Sequence, residues 1–245
     1  MMILKELFQK YANFMNNIAI IPARGGSKRI PRKNIRNFVG KPIIAYSIEV
    51  AFKSGLFNEV MVSTDDEEIA NIAKQFGASV PFFRSKLNSN DNSTTLEVIE
   101  EVVNMYIEIN KHFDNICCIY PCAPFCTTMN LLNSYNLFIE NKFNTVFPVV
   151  QYSSPIQRAL NLDNNKISMS YPEFKNTRSQ DLEKKYFDAG QFYWINTKKT
   201  FEQKNIYTDY SGSIIIDELN AQDIDNEIDW QIAELKYKIV NKHGN

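Results

Sequence analysis

A short apolar strand followed at once by a basic, glycine-containing loop constrains this chain more than any other feature. Residues 18–21, Ile-Ala-Ile-Ile, predict a buried strand that ends at Pro22. The loop after it contains Gly25 and Gly26 and the cations Arg24, Lys28, Arg29, Arg32 and Lys33. Glycines let backbone N–H groups approach a ligand closely, and a loop after an N-terminal strand is where α/β proteins hold polyphosphates. The alternative is a basic loop that is merely solvated. Such a loop would be expected to have dispersed charges, whereas the cations here are clustered around two glycines directly after a strand.

The spacing within this loop excludes the two commonest phosphate-binding motifs. A Walker A loop needs Gly-x-x-x-x-Gly-Lys followed by Ser or Thr, and Gly-Gly-Ser-Lys at residues 25–28 does not supply it. The dinucleotide fingerprint Gly-x-Gly-x-x-Gly is also absent. P-loop kinase chemistry and nicotinamide redox chemistry are therefore disfavoured.

Composition and charge exclude further classes. The 245 residues include 27 basic and 28 acidic side chains, a net charge of −1, so no overall positive field attracts nucleic acid. No apolar run approaches the ~20 residues that a membrane span requires. Residues 1–14 have apolar residues at helical spacing between charges, and predict an optional amphipathic extension rather than a secretory signal or membrane anchor. We therefore predict a cytoplasmic protein with no nucleic-acid or membrane partner.

The order of the predicted elements indicates the fold class. Strand-like and helix-like segments alternate up to residue 150, which is typical of an α/β fold with a Rossmann-like, doubly wound, mostly parallel sheet. Thr94-x-x-Glu97 is a capping box that marks one helix start. Residues 151–190 are richer in polar residues and turns, with two weak strands around Asn164-Asn165. We predict a single domain over residues 15–245, with residues 151–190 as a small inserted lobe for dimerisation or substrate contacts.

The four cysteines lie within a single short segment but do not form a metal-binding pattern. Cys117 and Cys118 are adjacent on an apolar run whose side chains would alternate between faces, and Cys122 and Cys126 follow. The two histidines, at residues 112 and 243, add no spaced ligand set. Small buried hydrophobic residues are the favoured interpretation, over a zinc site or a disulfide framework.

A second candidate site is Asp223-Ile224-Asp225. Carboxylates at i and i+2 on an extended segment point to the same side and can hold one hard divalent cation, such as Mg²⁺ with a polyphosphate. Asp217 and Glu218 lie close in sequence and could contribute. The alternative is a solvated turn, with Asp225 as the N-cap of the last helix. The predicted core stripe of that helix is Ile228, Ile232 and Leu235. The phosphate loop favours the cation site, because a bound triphosphate needs its charge neutralised.

Several motifs together resemble one enzyme family. The segment Ala23-Arg-Gly-Gly-Ser-Lys-Arg-Ile-Pro-Arg-Lys-Asn34 resembles the nucleotide-binding motif of the CMP-nonulosonate (sialic-acid-type) cytidylyltransferases. Residues 63–70, 178–182 and 223–225 match further motifs in the expected order, so that the resemblance spans roughly residues 16–240. Three blocks look like the pseudaminic acid branch, namely Tyr120-Pro-Cys-Ala-Pro-Phe125, Pro155-Ile-Gln-Arg-Ala159 and Asp188-Ala-Gly-Gln-Phe-Tyr-Trp194. Cys122 stands where that branch has threonine.

The resemblance implies roles for the nucleotide-binding residues. Arg24 and Lys33 would hold the phosphates of CTP, and Asp223 and Asp225 would bind Mg²⁺; these are the implied catalytic residues. Asn34 and Arg84 would lie near the cytidine, and backbone N–H groups of residues 25–27 near the phosphates. The complete implied set is Ala23, Arg24, Gly25, Gly26, Ser27, Lys28, Lys33, Asn34 and Arg84.

The resemblance also implies a site for an acidic nine-carbon sugar. The sugar carboxylate calls for a cation able to make a bidentate pair, for which Arg158 and Arg178 are candidates. The implied sugar-binding set is Tyr120, Gln157, Arg158, Arg178, Gln180 and Gln191. Tyr120, Phe192, Tyr193 and Trp194 could wall the pocket, with core packing as the alternative for at least two of them.

The function implied by the resemblance is the transfer of CMP from CTP to the anomeric hydroxyl of pseudaminic acid. Mg²⁺ is the implied cofactor, and a homodimer, in which the inserted lobe reaches the neighbouring site, is the implied assembly. Two alternatives stay open. One is the same reaction on legionaminic or N-acetylneuraminic acid; the other is a non-catalytic CTP-binding module, because fold alone does not establish activity. The presence of both Asp223 and Asp225 argues against the second.

Overall fold

A seven-stranded sheet forms the centre of the protein in a computed structural model that describes residues 15–242. The predicted extension at residues 1–14 lies outside the described residues. The strands in chain order are β1 (Asn17–Pro22), β2 (Asn37–Phe38), β3 (Lys41–Pro42), β4 (Glu59–Ser63), β5 (Asn115–Ile119), β6 (Thr145–Gln151), β7 (Leu160–Asp163), β8 (Lys166–Met169), β9 (Tyr186–Asp188), β10 (Phe192–Asn196) and β11 (Ser211–Ile216). The central sheet has the order β11-β6-β10-β5-β1-β4, and β9 pairs with β6.

Helices cover both faces of this sheet. In the described part of the chain they are α1 (Ile43–Ser54), α2 (Glu67–Gln75), α3 (Thr95–Glu108), α4 (Thr128–Glu140), α5 (Thr197–Gln203) and α6 (Glu227–Lys242). Residues of α1, α2 and α4 form one buried cluster with one face of the sheet, and residues of α3 pack on the opposite face. The strand β1 shows why, because Ala19 and Ile21 face the first cluster while Ile18 and Ile20 face the second.

The strand directions confirm the predicted fold class. The strands β4, β1, β5, β6 and β11 run in one direction, whereas β9 and β10 run in the other. Insertion of β10 between β5 and β6 therefore makes the sheet mixed, but mostly parallel. The strand β1 is parallel to both of its neighbours and is covered on both faces, and this burial of both faces explains its uninterrupted apolar sequence.

Local capping signals account for several helix ends. Asp66 begins α2 by accepting a hydrogen bond from the Ile69 N–H, and the predicted capping box of Thr94 and Glu97 is confirmed at the start of α3. The helix α1 ends at Gly55, whose φ of 66° is the left-handed conformation that favours glycine.

The predicted core face of α6 is wrong. Ile228, Ile232 and Leu235 are 68, 39 and 61% exposed, while Trp230 and Ala233 are buried instead. The predicted N-cap is also wrong, because the side chain of Asn226, not Asp225, accepts hydrogen bonds from the N–H groups of residues 228 and 229. Asp225 does not cap the helix and instead lines the cavity described below.

Residues 151–190 leave the central sheet and return to it at β9. Within them, β7 and β8 form a separate two-stranded hairpin, turning at Asn164 and Asn165 with φ values of 46° and 65°. The expectation that this segment is a lobe for dimerisation or substrate contacts stays a prediction. No helix of the described residues is long and apolar enough to cross a membrane.

The cysteines behave largely as expected from their sequence. Cys117, Cys118 and Cys126 are buried and all four cysteines are free thiols. Cys122 is only half-buried, since it lies at the edge of the cavity described next.

Candidate active site

The basic loop (residues 23–34) and the acidic segment (residues 223–225) meet at a single cavity of about 490 Å³, the reaction cavity. It lies at the carboxyl ends of β1 and β5, where parallel α/β sheets bind ligands. Its polar lining residues are Arg24, Ser27, Lys28, Arg29, Lys33, Asn34, Asp91, Tyr120, Gln222, Asp223 and Asp225. The structure thus brings together two motifs that are far apart in the sequence.

Lys33 joins the two motifs directly. Its Nζ donates a hydrogen bond of 2.8 Å to the backbone oxygen of Ile224, which lies 191 positions away in the chain. Ile224 is 2% exposed and packs with Ile30 of the loop in the same apolar cluster. Burial of Ile224 turns its two acidic neighbours toward the cavity, as the alternation of an extended segment predicts. The ammonium of Lys33 therefore lines the same cavity as both carboxylates and acts electrostatically on Asp223.

The acidic pair has the chemistry of a cation site. The pKa of Asp223 is raised, because the cleft partly desolvates its carboxylate and because Asp225 adds a second negative charge. Asp225 is paired with Arg29 at 2.7 Å between Oδ1 and Nη2. No group of three or more carboxylate, thiol or imidazole side chains suited to a metal occurs among residues 15–242. A divalent cation held by Asp223 and Asp225 would therefore take its other ligands from water or substrate oxygens.

Asp91 is a cavity residue that sequence analysis missed. Its Oδ1 lies 2.5 Å from Nη1 of Arg24, and its Oδ2 lies 2.5 Å from Nζ of Lys28. These hydrogen bonds from Lys28 and Arg24 lower the pKa of Asp91, so this carboxylate stays ionised. Asp91 lies in a polar loop without periodicity, and its position three residues before the capping box is the only local signal.

The backbone of the loop is held by contacts within the protein, and Gly25 is required there by a close approach. The N–H of Gly25 donates to Oδ1 of Asp65 at 2.8 Å, and a Cβ on Gly25 would lie 2.7 Å from Oδ2 of Asp66. The N–H of Ser27 is bonded to the Gly25 oxygen, and the N–H of buried Ala23 to Ser63. A Cβ on Gly26 would meet nothing within 4 Å. Within residues 25–27, the N–H groups of Gly25 and Ser27 are therefore engaged within the protein, contrary to the expectation that these residues offer their N–H groups to the phosphates.

Arg32 points away from the cavity and anchors the loop instead. Its guanidinium makes hydrogen bonds of 2.5 and 3.0 Å to the two carboxylate oxygens of Asp66 and also pairs with Glu68. The backbone of Arg32 is left-handed, with φ of 56°. The Arg32 hydrogen bonds are the largest cause of the lowered pKa of Asp66. This contact fixes the loop on the first turn of α2.

Asn34 and Arg84 also brace the site. Nδ2 of Asn34 donates to the Arg24 oxygen at 2.9 Å, and its Oδ1 is 3.4 Å from Sγ of Cys122. Arg84 is 9% exposed and bonds to Ser63 through Nε at 3.0 Å and Nη2 at 2.7 Å. Burial lowers the pKa of Arg84. Arg84 lines a small side cavity together with Arg24 and Asp91, beside the reaction cavity.

The chain is recognised by comparison with known proteins. The family model described as Cytidylyltransferase matches residues 18–238. The chain belongs to the cytidylyltransferase family. Over 226 residues it is 42% identical to the pseudaminic acid cytidylyltransferase of Campylobacter jejuni, with 92% of this chain and 97% of that protein covered. Over 228 residues it is 30% identical to the CMP-N,N'-diacetyllegionaminic acid synthase of Legionella pneumophila, covering 90% of this chain and 95% of that protein.

A solved structure supports the fold of this cytidylyltransferase. It is described as CMP:2-keto-3-deoxy-manno-octonic acid synthetase complexed with CTP, and the TM-score is 0.67. The match covers 93% of this chain and 99% of that chain at 15% sequence identity. At that identity the likeness establishes the fold alone.

The predicted sugar-binding residues of the cytidylyltransferase divide into two groups. Tyr120 lines the reaction cavity, and Gln191 follows Gly190, which lines it too. Nε2 of Gln191 donates to the Asn220 oxygen at 2.6 Å, whereas its buried Oε1 has no partner. Gln157 is similar, since Nε2 donates to the Glu183 oxygen at 2.9 Å and the buried Oε1 has no partner.

Of the six predicted sugar-binding residues, Tyr120 alone lines the reaction cavity, and the other five do not. Arg158 bonds to backbone oxygens of residues 175 and 177. Arg178 has 71% of its side chain exposed, with Asp181 3.8 Å from its Nε, and Gln180 is exposed beside it. Their role in sugar binding stays a prediction.

A second cavity of about 620 Å³ adjoins the reaction cavity of the cytidylyltransferase at Tyr120, which lines both. The Tyr120 hydroxyl is 3.0 Å from Oγ1 of Thr95, and its ring packs on Tyr193 at 5.5 Å between centroids. The second cavity is lined by Thr94, Thr95, Leu96, Glu97, Glu100, Tyr120, Tyr193, Lys204, Asn205, Ile206 and Tyr207. Phe192 and Trp194 are fully buried in the core on the other side of β10, so only two of the four predicted aromatic residues line a cavity.

Proposed function

We propose that this cytidylyltransferase transfers CMP from CTP to the anomeric hydroxyl of pseudaminic acid, releasing pyrophosphate. The observation that carries the proposal is the convergence of Arg24 and Lys33 with Asp223 and Asp225 on the reaction cavity. The 42% identical relative named pseudaminic acid cytidylyltransferase supports the choice of sugar. The family assignment supports CTP as the nucleotide.

The residues of the reaction cavity can position a triphosphate for displacement at its α-phosphorus. Arg24 and Lys33 supply fixed positive charge to the phosphates and so stabilise the charge that develops on the leaving pyrophosphate. The hydrogen bond from Lys33 to the Ile224 oxygen holds this positive charge beside the acidic segment. Asp223 and Asp225 would hold Mg²⁺, which when bound neutralises and orients the triphosphate and favours ionisation of the attacking hydroxyl.

The second cavity is the proposed site of the sugar. It adjoins the reaction cavity at Tyr120, so a sugar held there can present its anomeric hydroxyl to the nucleotide. Hydroxyl and amide donors and acceptors, such as Thr95, Asn205 and Tyr207, suit the hydroxyl and acylamido groups of a nonulosonic acid.

A homodimer is the proposed assembly. The hairpin of β7 and β8 exposes Leu160, Leu162 and Ile167 by 58, 71 and 66%, an apolar surface suited to a second copy. Arg158 and Arg178 lie in the same lobe and do not reach the cavity of their own chain, so they are proposed to serve the partner's sugar site. Sedimentation velocity with wild type and Leu162→Asp would test this, and an unchanged dimer in the variant would contradict it.

Pyrophosphate release tests the proposed function. The purified chain is incubated with CTP and Mg²⁺ and, in parallel, with pseudaminic, legionaminic or N-acetylneuraminic acid. We expect kcat/KM to be highest with pseudaminic acid, by at least about tenfold, as a set of matched polar contacts requires. Preference for another acid would overturn the sugar assignment. Binding of CTP without turnover of any of the three would favour the non-catalytic module.

Replacement of Asp91 by asparagine is expected to lower the KM for CTP by about threefold, the modest effect of partly exposed ion pairs. In the structure Asp91 pairs with Arg24, which the proposal assigns to the triphosphate, and with the neighbouring Lys28. The substitution removes this competitor, and the gain should shrink at high salt.

The matched control is Asp209→Asn, which removes one exposed carboxylate outside both cavities. It should leave the KM for CTP unchanged. A large fall in kcat for Asp91→Asn would contradict the competitor role and assign Asp91 to the reaction itself.

A further inference from the structure

Asp188 connects the two cavities although it lines neither of them. It ends β9, where its backbone pairs with Val149 of β6. Its Oδ1 accepts a hydrogen bond of 2.8 Å from the N–H of Gly190. Its Oδ2 accepts two more, both 2.6 Å long, from the hydroxyls of Tyr193 and Tyr207. One carboxylate therefore fixes three groups at once.

The three groups held by Asp188 belong to different cavities. Gly190 lines the reaction cavity and has a φ of 62°, so its position depends on a turn that few other residues adopt. Tyr193 and Tyr207 line the second cavity. The Tyr193 ring also packs against Tyr120, the residue common to both cavities. A displacement of the Asp188 carboxylate would consequently be felt on both sides of the junction.

The hydrogen bonds to Asp188 are of the charge-assisted kind. Burial and the nearby Asp188 raise the pKa of Tyr193, and the same two causes raise the pKa of Tyr207 to about 12, so both phenols stay protonated donors. Phe147 packs against the rings of both tyrosines, at 5.6 and 5.3 Å between centroids. The apolar support and the carboxylate together leave these two hydroxyls little freedom to rotate.

We propose that Asp188 is a positioning residue that aligns the sugar-binding wall with the nucleotide side of the site. It acts through Tyr193 and Tyr207 on the second cavity and through Gly190 on the reaction cavity. The inference rests on the proposed function insofar as the second cavity receives the sugar. A residue that only stabilised the turn would need only the hydrogen bond from Gly190. Asp188 in addition accepts hydrogen bonds at its other oxygen from two hydroxyls that line the second cavity.

The test compares four proteins with wild type: Asp188→Asn, Tyr207→Phe, the double variant and Tyr210→Phe. Asparagine keeps the shape of Asp188 but replaces one accepting oxygen by a donor. The Gly190 N–H can only donate, so the amide oxygen is expected to stay with Gly190, while the amide NH2 group faces the tyrosine hydroxyls, which lose their acceptor. We expect Asp188→Asn to raise the KM for the sugar by about fivefold or more, with the KM for CTP within about twofold. Tyr207→Phe should raise the sugar KM in the same direction.

The double variant tests whether Asp188 and Tyr207 act on the sugar through one shared contact or independently of each other. Because Asp188 acts through Tyr207, removal of the Tyr207 hydroxyl should add little in a protein whose Asp188 acceptor is already gone. The double variant should therefore have a sugar KM no higher than that of Asp188→Asn alone. Tyr210→Phe is the matched control, since Tyr210 is a similarly exposed tyrosine whose hydroxyl bonds to the Asn141 oxygen outside both cavities. Its kinetic constants should equal those of wild type.

Three results would overturn the proposal. They are a sugar KM within twofold of wild type in Asp188→Asn, equal rises in the KM of both substrates, or additive effects in the double variant. Should Asp188→Asn fail to fold, the comparison of Tyr207→Phe with Tyr210→Phe decides, and equal sugar KM values would overturn it. Wild-type turnover tests the proposed function separately, and the ratios are measured with whichever sugar wild type uses.

Discussion

Replacing Asp223 by asparagine is expected to lower kcat by at least about a hundredfold, or ~2.7 kcal/mol of transition-state stabilisation at ~1.36 kcal/mol per decade. The substitution keeps the shape of the side chain but removes one of the two carboxylates that face the triphosphate site beside Lys33. A neutral amide is a poor ligand for Mg²⁺. Steady-state pyrophosphate release at saturating CTP, over a range of Mg²⁺ concentrations, measures the effect.

The matched control for Asp223→Asn is Asp217→Asn. Asp217 is exposed, lies outside the reaction cavity and accepts a hydrogen bond from the Leu219 N–H, a role that asparagine fills equally well. Its kcat should match that of wild type. If the two variants retained the same turnover, Asp223 would have no part in the reaction and the proposed cation site would be wrong.

The raised pKa of Asp223 also predicts how Asp223→Asn changes the stability of the fold. A carboxyl whose pKa is higher in the folded than in the unfolded protein destabilises the fold at pH values above that pKa. Stability conferred by its protonated form is therefore lost as the pH rises through the folded-state pKa. We expect Asp223→Asn to have a Tm equal to or slightly above that of wild type at neutral pH in the absence of Mg²⁺, so that lost activity does not reflect unfolding.

Replacing Arg24 by alanine is expected to lower kcat/KM for CTP by more than tenfold, or ~1.4 kcal/mol or more. Arg24 has a third of its side chain exposed and faces the reaction cavity, where Asp91 holds its guanidinium. Removal of a planar, two-pronged phosphate ligand loses charge and orientation together. Initial rates measured against CTP at saturating sugar give the effect.

Lys28→Ala provides the comparison for Arg24→Ala. Lys28 pairs with the same carboxylate and carries the same charge, but 80% of its side chain is exposed. We expect less than about a threefold change in kcat/KM, since exposed charges are largely screened. Equal losses in the two variants would mean that net charge, not a directed contact of Arg24, governs CTP binding. An Arg24→Ala enzyme within twofold of wild type would refute the assignment.

The part of the fold that sequence predicts best is the part with local signals. The run at residues 18–21 specifies a buried strand, and its continuation at Gly25 specifies a close turn, here against Asp65 and Asp66. The capping box of Thr94 and Glu97 fixes a helix start from four consecutive residues. Such signals need no knowledge of distant contacts.

The last helix shows why other features could not be predicted. The sequence of α6 contains two apolar stripes, one with Ile228, Ile232 and Leu235, the other with Trp230 and Tyr237. Aromatic contacts decide between them, because Phe38 lies 5.5 Å between centroids from both Trp230 and Tyr237. Phe38 comes from a two-residue strand far away in the sequence, so periodicity alone could not select the buried face.

The residues of the candidate site likewise include some that the sequence indicates and others that it does not. Lys33 and Asp223 belong to recognisable sequence motifs, and both line the reaction cavity. Asp91 has no motif, and its importance is visible only once its contacts with Arg24 and Lys28 are known. Arg178 was assigned by resemblance, but in the structure its side chain is 71% exposed and lies beside Asp181, away from the reaction cavity. A linear motif therefore does not specify where its side chain lies in the fold.

The bond between Lys33 and the Ile224 oxygen has a consequence for biosynthesis. On the ribosome, the loop at residues 23–34 emerges long before residues 223–225, so Lys33 has no acceptor until Ile224 has been added. A ligand stabilises only the state that binds it, so a ligand that needs both segments cannot protect a chain that still lacks one of them. A product truncated before Asp223 would therefore meet quality-control proteases without that protection.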